Sequence, residues 1–193
     1  MTQHAPTDTD WDRLLGLLAP FHAQAAATAR RLCRSNADGD DLLQEAVLRA
    51  AAKVHMLRDD ARFRPWFYAV LLSVHRSRAR RSFWRRFLSL ETERERGFDP
   101  IGHDGGAWAE ERRRAERAAT ALSTLSPVMR EAIVLFELDG FSIEEIAAIQ
   151  QVTLSAVKTR LARGRERLRR HYGPVLDAAS LDGELVSLGG SST

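Results

Sequence analysis

The chain has 193 residues, of which 44% are apolar and 28% are charged, and its formal net charge is +3 at pH 7. This composition excludes a chain that is disordered throughout, because each half has enough apolar residues to bury a modest core. No apolar run approaches roughly 18 residues and the single cysteine, Cys33, excludes an internal disulfide, so we expect a cytoplasmic protein that does not insert into a membrane.

Four helices are predicted in the first half of the chain. Their predicted bounds are 9–19, 21–34, 40–56 and 65–81, with a turn over 35–39 and a charged loop over 55–61. Pro20 separates the first two helices, and Pro65 fits the first turn of the fourth. The residues of the fourth helix that are predicted to face a core are Trp66, Phe67, Val70, Leu71 and Val74.

Four more helices are predicted after a linker. Glycines and Pro100 lie among charged residues over 89–106, which is typical of a flexible linker. The predicted helices are 107–122, 127–139, 142–150 and one that begins after Thr153. Their ends are marked by Ser126 and Pro127 at a start, Gly140 in the left-handed conformation, a capping box from Ser142 to Glu145, and Thr153 as N-cap. No stretch alternates like a strand, so the predicted fold class is all-α.

The helices over 126–172 are typical of a helix-turn-helix, whose last helix enters the DNA major groove. The residues that we expect on its inward stripe are Leu154, Val157, Leu161, Gly164 and Leu168, packed on Leu135, Ile146 and Ile149. Base edges are expected to meet Ser155, Lys158, Thr159 and Arg163. Phosphates are expected to meet Arg160, Arg165, Arg167 and Arg170. The alternative is an amphipathic helix with a solvated basic face, which the capped boundaries disfavour.

Acidic residues cluster in the third helix, at Asp38, Asp40, Asp41 and Glu45. Stabilisation of a helix N-terminus explains the three aspartates, at roughly 0.3–1 kcal/mol each, but explains Glu45 poorly. The residues at i, i+3, i+4 and i+7 on one face are Asp41, Gln44, Glu45 and Leu48. A mixed polar and apolar face of this kind suits docking of a partner helix.

Basic residues form two blocks on either side of an acidic segment. Residues 61–88 contain eight Arg and no acid, residues 155–172 contain seven Lys and Arg against one acid, and residues 91–111 contain seven acids against two Arg. Two such blocks favour two surfaces that face nucleic acid. The aromatic residues Phe83, Trp84 and Phe87 fit either a packing patch or a surface on which bases stack.

Three motifs, in this order and spacing, resemble the extracytoplasmic-function (ECF) sigma factors of bacterial RNA polymerase. They are DDLLQEAVLRA at 40–50, FRPWFY at 63–68, and the segment from LSP at 125–127 to residue 169. The resemblance covers most of residues 10–172. It implies two small helical domains joined by a flexible linker. These parts are the second sigma region at 1–88, the linker at 89–110, the fourth sigma region at 111–173 and a tail at 174–193.

The resemblance also implies a role for each part. The third helix would dock on core RNA polymerase through Asp40, Asp41, Gln44, Glu45 and Leu48. The loop 55–63 and the end of the fourth helix would read and open the −10 element, with the candidate residues Arg58, Arg62, Arg76, Arg78, Arg80 and Arg81. The helix-turn-helix would bind the −35 element through Ser155, Lys158, Thr159, Arg160, Arg163, Arg165 and Arg167. The expected partners are therefore core RNA polymerase, promoter DNA and an anti-sigma factor.

Some positions depart from the family pattern. Ser73 and Ser77 stand where Asn and Asp are frequent, and Gln151 stands in a turn that usually contains glycine. Gln151 is therefore expected to adopt an unusual backbone angle.

Three other classes of protein were weighed against a sigma factor. A helix-turn-helix regulator that senses a ligand or dimerises would leave the acids at 38–45 and the basic-aromatic block unexplained. An enzyme is disfavoured because GxxxxGK, GxSxG and metal-ligand spacings are missing, so no catalytic residue, metal, cofactor or small-molecule substrate is predicted. A sigma mimic that only titrates an inhibitor would lose its DNA contacts, and the basic last helix argues against it.

Overall fold

A computed structural model describes residues 5–33, 35–88 and 106–176 of the chain. The chain divides into two compact units, one within residues 1–97 and one within residues 98–193. Every regular element in the described residues is helical, which confirms the all-α prediction. Most of the predicted linker, residues 89–105, lies outside this part of the chain.

The described residues of the first unit, 5–33 and 35–88, form four α-helices. They are Asp8–Leu18 (α1), His22–Leu32 (α2), Asn36–Ala51 (α3) and Phe63–Leu88 (α4), with 3-10 turns at Ala19–Phe21, Val54–Met56 and Asp60–Arg62. A capping box between Thr7 and Asp10 starts α1. Pro20 lies in the 3-10 turn that separates α1 from α2, which confirms the predicted break.

Helix α3 begins earlier than predicted. Ser35 is its N-cap and accepts a hydrogen bond from the backbone N–H of Asp38 at 3.1 Å, so the turn predicted over 35–39 is wrong. Gly39 lies inside the helix, where a Cβ atom would come within 2.5 Å of Cα of Arg30 in α2. Glycine is therefore needed for close packing of two helices and not for a turn. The helix also ends at Ala51 and not at the predicted Met56.

Aromatic rings fill the core of the first unit. The ring of Phe21 lies 5.9 Å from that of Phe63 and 6.0 Å from that of Phe67, measured between centroids. Phe63 and Phe67 are buried. Aromatic pairs at this separation contribute about 0.5–1.5 kcal/mol beyond their buried area. The loop between α3 and α4 is thus fixed at its end, where Phe63 starts α4.

The prediction for the fourth helix was partly wrong. Helix α4 begins at Phe63, so Pro65 does lie in the first turn, and it continues to Leu88, seven residues past the predicted end at Arg81. Of its predicted core residues, Phe67, Leu71 and Val74 are buried, whereas Trp66 and Val70 are only half-buried. The side chains of Phe83, Trp84 and Phe87 lie outside the described residues.

Over residues 106–176, the part of the second unit that the structure describes, there are also four α-helices. They are Gly106–Ser123 (α5), Pro127–Ile133 (α6), Ile143–Gln150 (α7) and Leu154–Leu176 (α8), and a π-helical segment, Val134–Leu138, extends α6. The predicted punctuation is confirmed at three sites: Gly140 has φ +68°, Ser142 and Glu145 form a capping box, and Thr153 accepts a hydrogen bond from the backbone N–H of Ala156 at 3.2 Å. Helix α8 runs past Gly173 and Pro174 to Leu176, and the rest of the predicted tail lies outside the described residues.

Helix α8 packs on α6 through a narrow stripe. Val157 and Leu161 are buried as predicted, but Leu168 is half-buried and Leu154 is 44% exposed, so the stripe is shorter than predicted. Gly164 allows the close approach, because a Cβ atom there would lie 2.8 Å from Cγ1 of Ile133. Gln151 has φ +56°, as expected for the turn position that usually holds glycine.

Replacing Gly39 with Ala should destabilise the first unit. The new methyl group would meet backbone atoms of Arg30, which cannot move independently, so we expect Gly39→Ala to lower the free energy of unfolding by about 1–3 kcal/mol. Gly16→Ala in α1 is the matched control, since nothing lies within 4 Å of a Cβ atom there. We expect this control to raise stability by about 0.5–1 kcal/mol. Urea unfolding of both variants checks the two signs; equal effects would contradict the assigned packing.

Candidate nucleic-acid interface

Helix α8 exposes the residues that are predicted to contact bases. Ser155, Lys158, Thr159 and Arg163 are all exposed. The hydroxyl of Thr159 donates to the backbone carbonyl of Ser155 at 2.9 Å, within the helix. Neither Lys158 nor Arg163 forms a hydrogen bond or ion pair with another residue in the described part of the chain. Their charges are therefore available to an external anion.

Three of the four arginines predicted to contact phosphates, Arg160, Arg165 and Arg170, instead have partners within the unit. Arg160 donates from Nη1 to Oε1 of Gln150 at 2.7 Å. Arg165 donates from Nε to Oε1 of Glu137 at 2.7 Å, and its guanidinium carbon lies 5.2 Å from the ring centroid of Phe136. Both acceptors, like Arg160 and Arg165, belong to the second unit, so the arginines contribute to the structure of the helix-turn-helix.

Three arginines of α8, Arg163, Arg167 and Arg170, line a groove of about 570 Å³ that is open to solvent. Its lining residues are Thr124, Met129, Arg163, Glu166, Arg167, Arg170 and His171. Arg170 donates to Glu166 at 2.9 Å, whereas Arg167 is exposed. The exposed basic surface of α8 thus continues from Lys158 and Arg163 along the helix to this groove.

Arg13 anchors the loop that is predicted to read the −10 element, a role that the sequence did not reveal. Its guanidinium donates to the backbone carbonyls of Val54 at 3.0 Å and Leu57 at 2.9 Å, and it pairs with Asp60. The loop arginines Arg58 and Arg62 are exposed, and Arg62 also lies 3.5 Å from Asp59. A fixed backbone therefore presents these two charges to solvent.

Glu45 joins the acidic helix to the basic one. Its carboxylate accepts hydrogen bonds from Nε of Arg78 at 2.7 Å and from Nη2 of Arg49 at 2.6 Å, and it lies 3.7 Å from Arg81. Arg78 also donates to the backbone carbonyl of Asp41 at 2.9 Å. A residue predicted to bind polymerase and two predicted to bind DNA therefore contact one another and hold α3 against α4.

Of the other residues of the predicted docking face, one is bound within the unit and three are exposed to solvent. Asp40 accepts a hydrogen bond from Nε of Arg30 at 2.8 Å. Asp41 and Gln44 are exposed, and Leu48 is 60% exposed. Because α3 begins at Asn36, the helix-terminus explanation applies to Asp38 in the first turn and not to Asp40 or Asp41.

The other −10 candidates of α4, Arg76 and Arg80, differ in their exposure to solvent. Arg80 is exposed and donates to the hydroxyl of Ser77 at 3.2 Å, and Arg76 is half-buried. Ser77 in turn donates to the backbone carbonyl of Ser73 at 2.8 Å. The hydroxyl of Ser77 thus bonds to the helix backbone and to Arg80, whereas Ser73 contributes only its backbone carbonyl.

Two further findings concern residues 5–33, 35–88 and 106–176. Within these ranges, no group of three His, Cys, Asp or Glu side chains is arranged to hold a metal ion. The helices of the same ranges include none that combines the length and apolar character needed to cross a bilayer.

Comparison with known proteins identifies both units. Residues 17–85 match the family model described as Sigma-70 region 2, and residues 115–168 match Sigma-70, region 4. The chain is 32% identical over 157 residues to the ECF RNA polymerase sigma factor SigM of Mycobacterium tuberculosis, covering 81% of this chain and 76% of SigM. It is 30% identical over 165 residues to SigE of Mycolicibacterium smegmatis, covering 82% of this chain but only 60% of SigE.

A solved structure agrees with these matches. The sigma factor RpoE from Bartonella quintana, in complex with the anti-sigma factor NepR, superposes with a TM-score of 0.69 at 25% identity. The alignment covers 85% of this chain and 97% of that chain. The sequence matches and the fold therefore point to the same family.

The contacts of Glu45 predict a pH-dependent stability. The hydrogen bond from Arg78, with the charges of Arg49 and Arg78, lowers the pKa of Glu45 despite partial desolvation. Stability from this carboxylate is then fully present above its unfolded pKa, about 4.3, and is lost as pH falls through the lower folded pKa. We expect Glu45→Gln to lower the free energy of unfolding by about 1–3 kcal/mol at pH 7, and by less below pH 4.

Urea unfolding between pH 7 and pH 3.5 measures this difference. Asp12→Asn is the control, because Asp12 is exposed on α1 and forms no ion pair with another described residue. A wild-type and a Glu45→Gln protein that lose stability in parallel on acidification would contradict the assignment.

Proposed function

We propose that this chain, which belongs to the ECF sigma factors of bacterial RNA polymerase, acts through one polymerase-docking surface and two separate DNA surfaces. As a sigma factor it binds core polymerase and directs promoter-specific initiation, and it is not an enzyme. The observation that supports separate docking and DNA surfaces is that α8 exposes a basic surface in one unit, whereas α3 exposes a face of acidic, polar and apolar residues in the other. We place the protein in the bacterial cytoplasm, where the polymerase is.

The second unit is proposed to bind the −35 element. Helix α8 follows a capped turn, and its first two turns expose Ser155, Lys158 and Thr159. Small polar and basic side chains at these positions suit base edges in the major groove. Arg163 extends this surface by one turn. Arg167 is proposed to contact a phosphate, since it is exposed on the adjoining side of the helix.

The first unit is proposed to act at the −10 element. Arg58 and Arg62 lie on the loop that Arg13 anchors, and Arg76, Arg80 and Arg81 lie near the described end of α4. Positive charge along such a surface follows a single-stranded backbone. We propose that Arg78 holds α4 in place and does not contact DNA, because its guanidinium is bonded to Glu45 and to the backbone carbonyl of Asp41.

Core polymerase is proposed to dock on the exposed residues of α3. Asp41, Gln44 and Leu48 share one side of the helix and are open to solvent, whereas Asp40 and Glu45 are occupied by Arg30 and Arg78. We therefore propose that Asp40 and Glu45, which lie next to the docking face, hold α3 in place through these arginines. The proposed domain bounds are 1–88 and 111–173, with a linker at 89–110 and a tail at 174–193.

An anti-sigma factor is the third proposed partner, because the superposed RpoE structure is a complex with one. A regulator that binds operator DNA by itself is the other candidate function. It leaves the exposed acidic and apolar face of α3 without a role.

Replacing Leu48 with Glu should weaken docking. Burial of a leucine in an interface is worth roughly 1.5–3 kcal/mol, so we expect Leu48→Glu to reduce affinity for core polymerase by about tenfold or more. Leu15→Glu is the matched control, since Leu15 in α1 of the same unit is 54% exposed and Leu48 is 60% exposed. Titration of core enzyme with the labelled full chain checks both. Unchanged affinity of Leu48→Glu would remove α3 from the docking surface.

Replacing Arg163 with Ala should weaken −35 recognition selectively. We expect a loss of about 1–3 kcal/mol on a duplex that carries the −35 sequence, and little loss on scrambled duplex. Arg167→Ala removes the same charge one turn away and should weaken binding to both duplexes equally, because Arg167 is the proposed phosphate contact. Binding by holoenzyme in gel-shift titrations measures both. An equal loss on both duplexes for Arg163→Ala would make it a phosphate contact.

A further inference from the structure

A buried polar connection joins the three helices of the helix-turn-helix. Glu131 of α6 is completely buried, and Gln150 at the end of α7 is 2% exposed. Nε2 of Gln150 donates to Oε2 of Glu131 at 3.2 Å and to the backbone carbonyl of Val128 at 3.3 Å. Oε1 of Gln150 accepts from Nη1 of Arg160 in α8 at 2.7 Å.

The chemistry of the three groups fixes the direction of this connection. A guanidinium only donates hydrogen bonds and a carboxylate only accepts them, whereas an amide does both. The amide of Gln150 therefore satisfies Arg160 and Glu131 together in a single orientation. Polar groups this deeply buried are costly when left unsatisfied, at about 1–3 kcal/mol each, so the network favours one arrangement of α7 and α8 on α6.

The network complements the apolar contact between α8 and α6. Gly164 of α8, one turn beyond Arg160, lies against Ile133. A helix that is held at two successive turns cannot rotate about its axis without breaking one of the two contacts. The rotation of α8 decides which side chains point away from the unit at 155, 158 and 159.

We propose that Arg160 is a positioning residue for −35 recognition, and that it acts through Gln150 and Glu131 rather than by neutralising a phosphate. The inference rests on the proposed function of α8. It replaces the expectation from the sequence, in which the charge of Arg160 made it a phosphate contact. Arg160 fixes the angle at which Ser155, Lys158 and Thr159 meet the bases.

Salt dependence distinguishes the two roles of an arginine. The logarithm of affinity falls linearly with the logarithm of salt concentration, and each phosphate that a protein neutralises increases the magnitude of this slope by about 0.9. A positioning residue adds nothing to the slope, but its loss lowers affinity for the correct sequence more than for a scrambled one. Gln150 supplies a second criterion, since a side chain that is 2% exposed cannot reach DNA.

The experiment uses the full chain assembled with core polymerase. The wild-type holoenzyme first selects a duplex from a library with a randomised −35 hexamer, and the selected and scrambled duplexes then serve as probes. Arg160→Met keeps an apolar stem but removes the donors, Gln150→Met removes the connection to Glu131, and Arg167→Ala is the phosphate-contact control. Binding is measured at several salt concentrations, with the folded fraction followed by circular dichroism.

We expect Arg160→Met and Gln150→Met each to reduce the ratio of affinities for selected over scrambled duplex by about tenfold, comparable to the loss of one base contact. The salt slope should remain that of the wild type. The double variant should lose no more than either single variant, because both break one network. Arg167→Ala should weaken both probes equally and lower the slope by about 0.9.

Three results would overturn the inference. In the first, Arg160→Met weakens both probes equally and lowers the salt slope, as Arg167→Ala does. In the second, Arg160→Met retains the wild-type ratio of affinities. In the third, it loses affinity only in proportion to its unfolded fraction. If Gln150→Met does not fold, the slope and the ratio for Arg160→Met still decide. Failure of the wild-type holoenzyme to select any sequence would instead refute the proposed function, together with the inference that rests on it.

Discussion

A guanidinium group keeps its charge throughout the physiological pH range, so every arginine must find an acceptor or remain in water. The chain has 29 Lys and Arg, nearly all of them Arg, and those that the structure describes fall into these two environments. Arg13, Arg78 and Arg160 bond to carbonyls, a carboxylate or a buried amide of their own unit. Arg58 and Arg163 remain exposed. Function depends on this division, because only arginines without an internal acceptor offer their full charge to DNA.

A few close contacts determine how the helices of each unit pack on one another. In the first unit, Gly39 brings α3 against α2, and Glu45 holds α3 to α4 through Arg78. In the second, Gly164 and the Glu131 network set α8 on α6. Both arrangements combine a small residue that admits close packing with a charged group that demands a specific partner. The surfaces proposed to meet polymerase and the −35 element lie on two of these same helices, α3 and α8.

Local signals were sufficient to predict much of the second unit. Caps, a glycine at positive φ and the turn at Gln151 all involve residues within four positions, and all were confirmed. The first unit was predicted less well. Gly39 was predicted to lie in a turn, whereas it allows α3 to pack closely on Arg30 of another helix. The partners of the arginines were also beyond reach of the sequence pattern. Arg78 and Glu45 are 33 positions apart, and Arg165 and Glu137 are 28 apart, so spacing alone could not separate structural from exposed arginines.

Mapping the 5′ ends of transcripts made by purified core polymerase, with and without this chain, tests the account most directly. The template is a library of bacterial promoter fragments. The account predicts that the chain creates discrete start sites that share two upstream elements, near −35 and −10, and that core polymerase alone yields none of them. Identical 5′ ends in both reactions, or sites that share neither element, would contradict it.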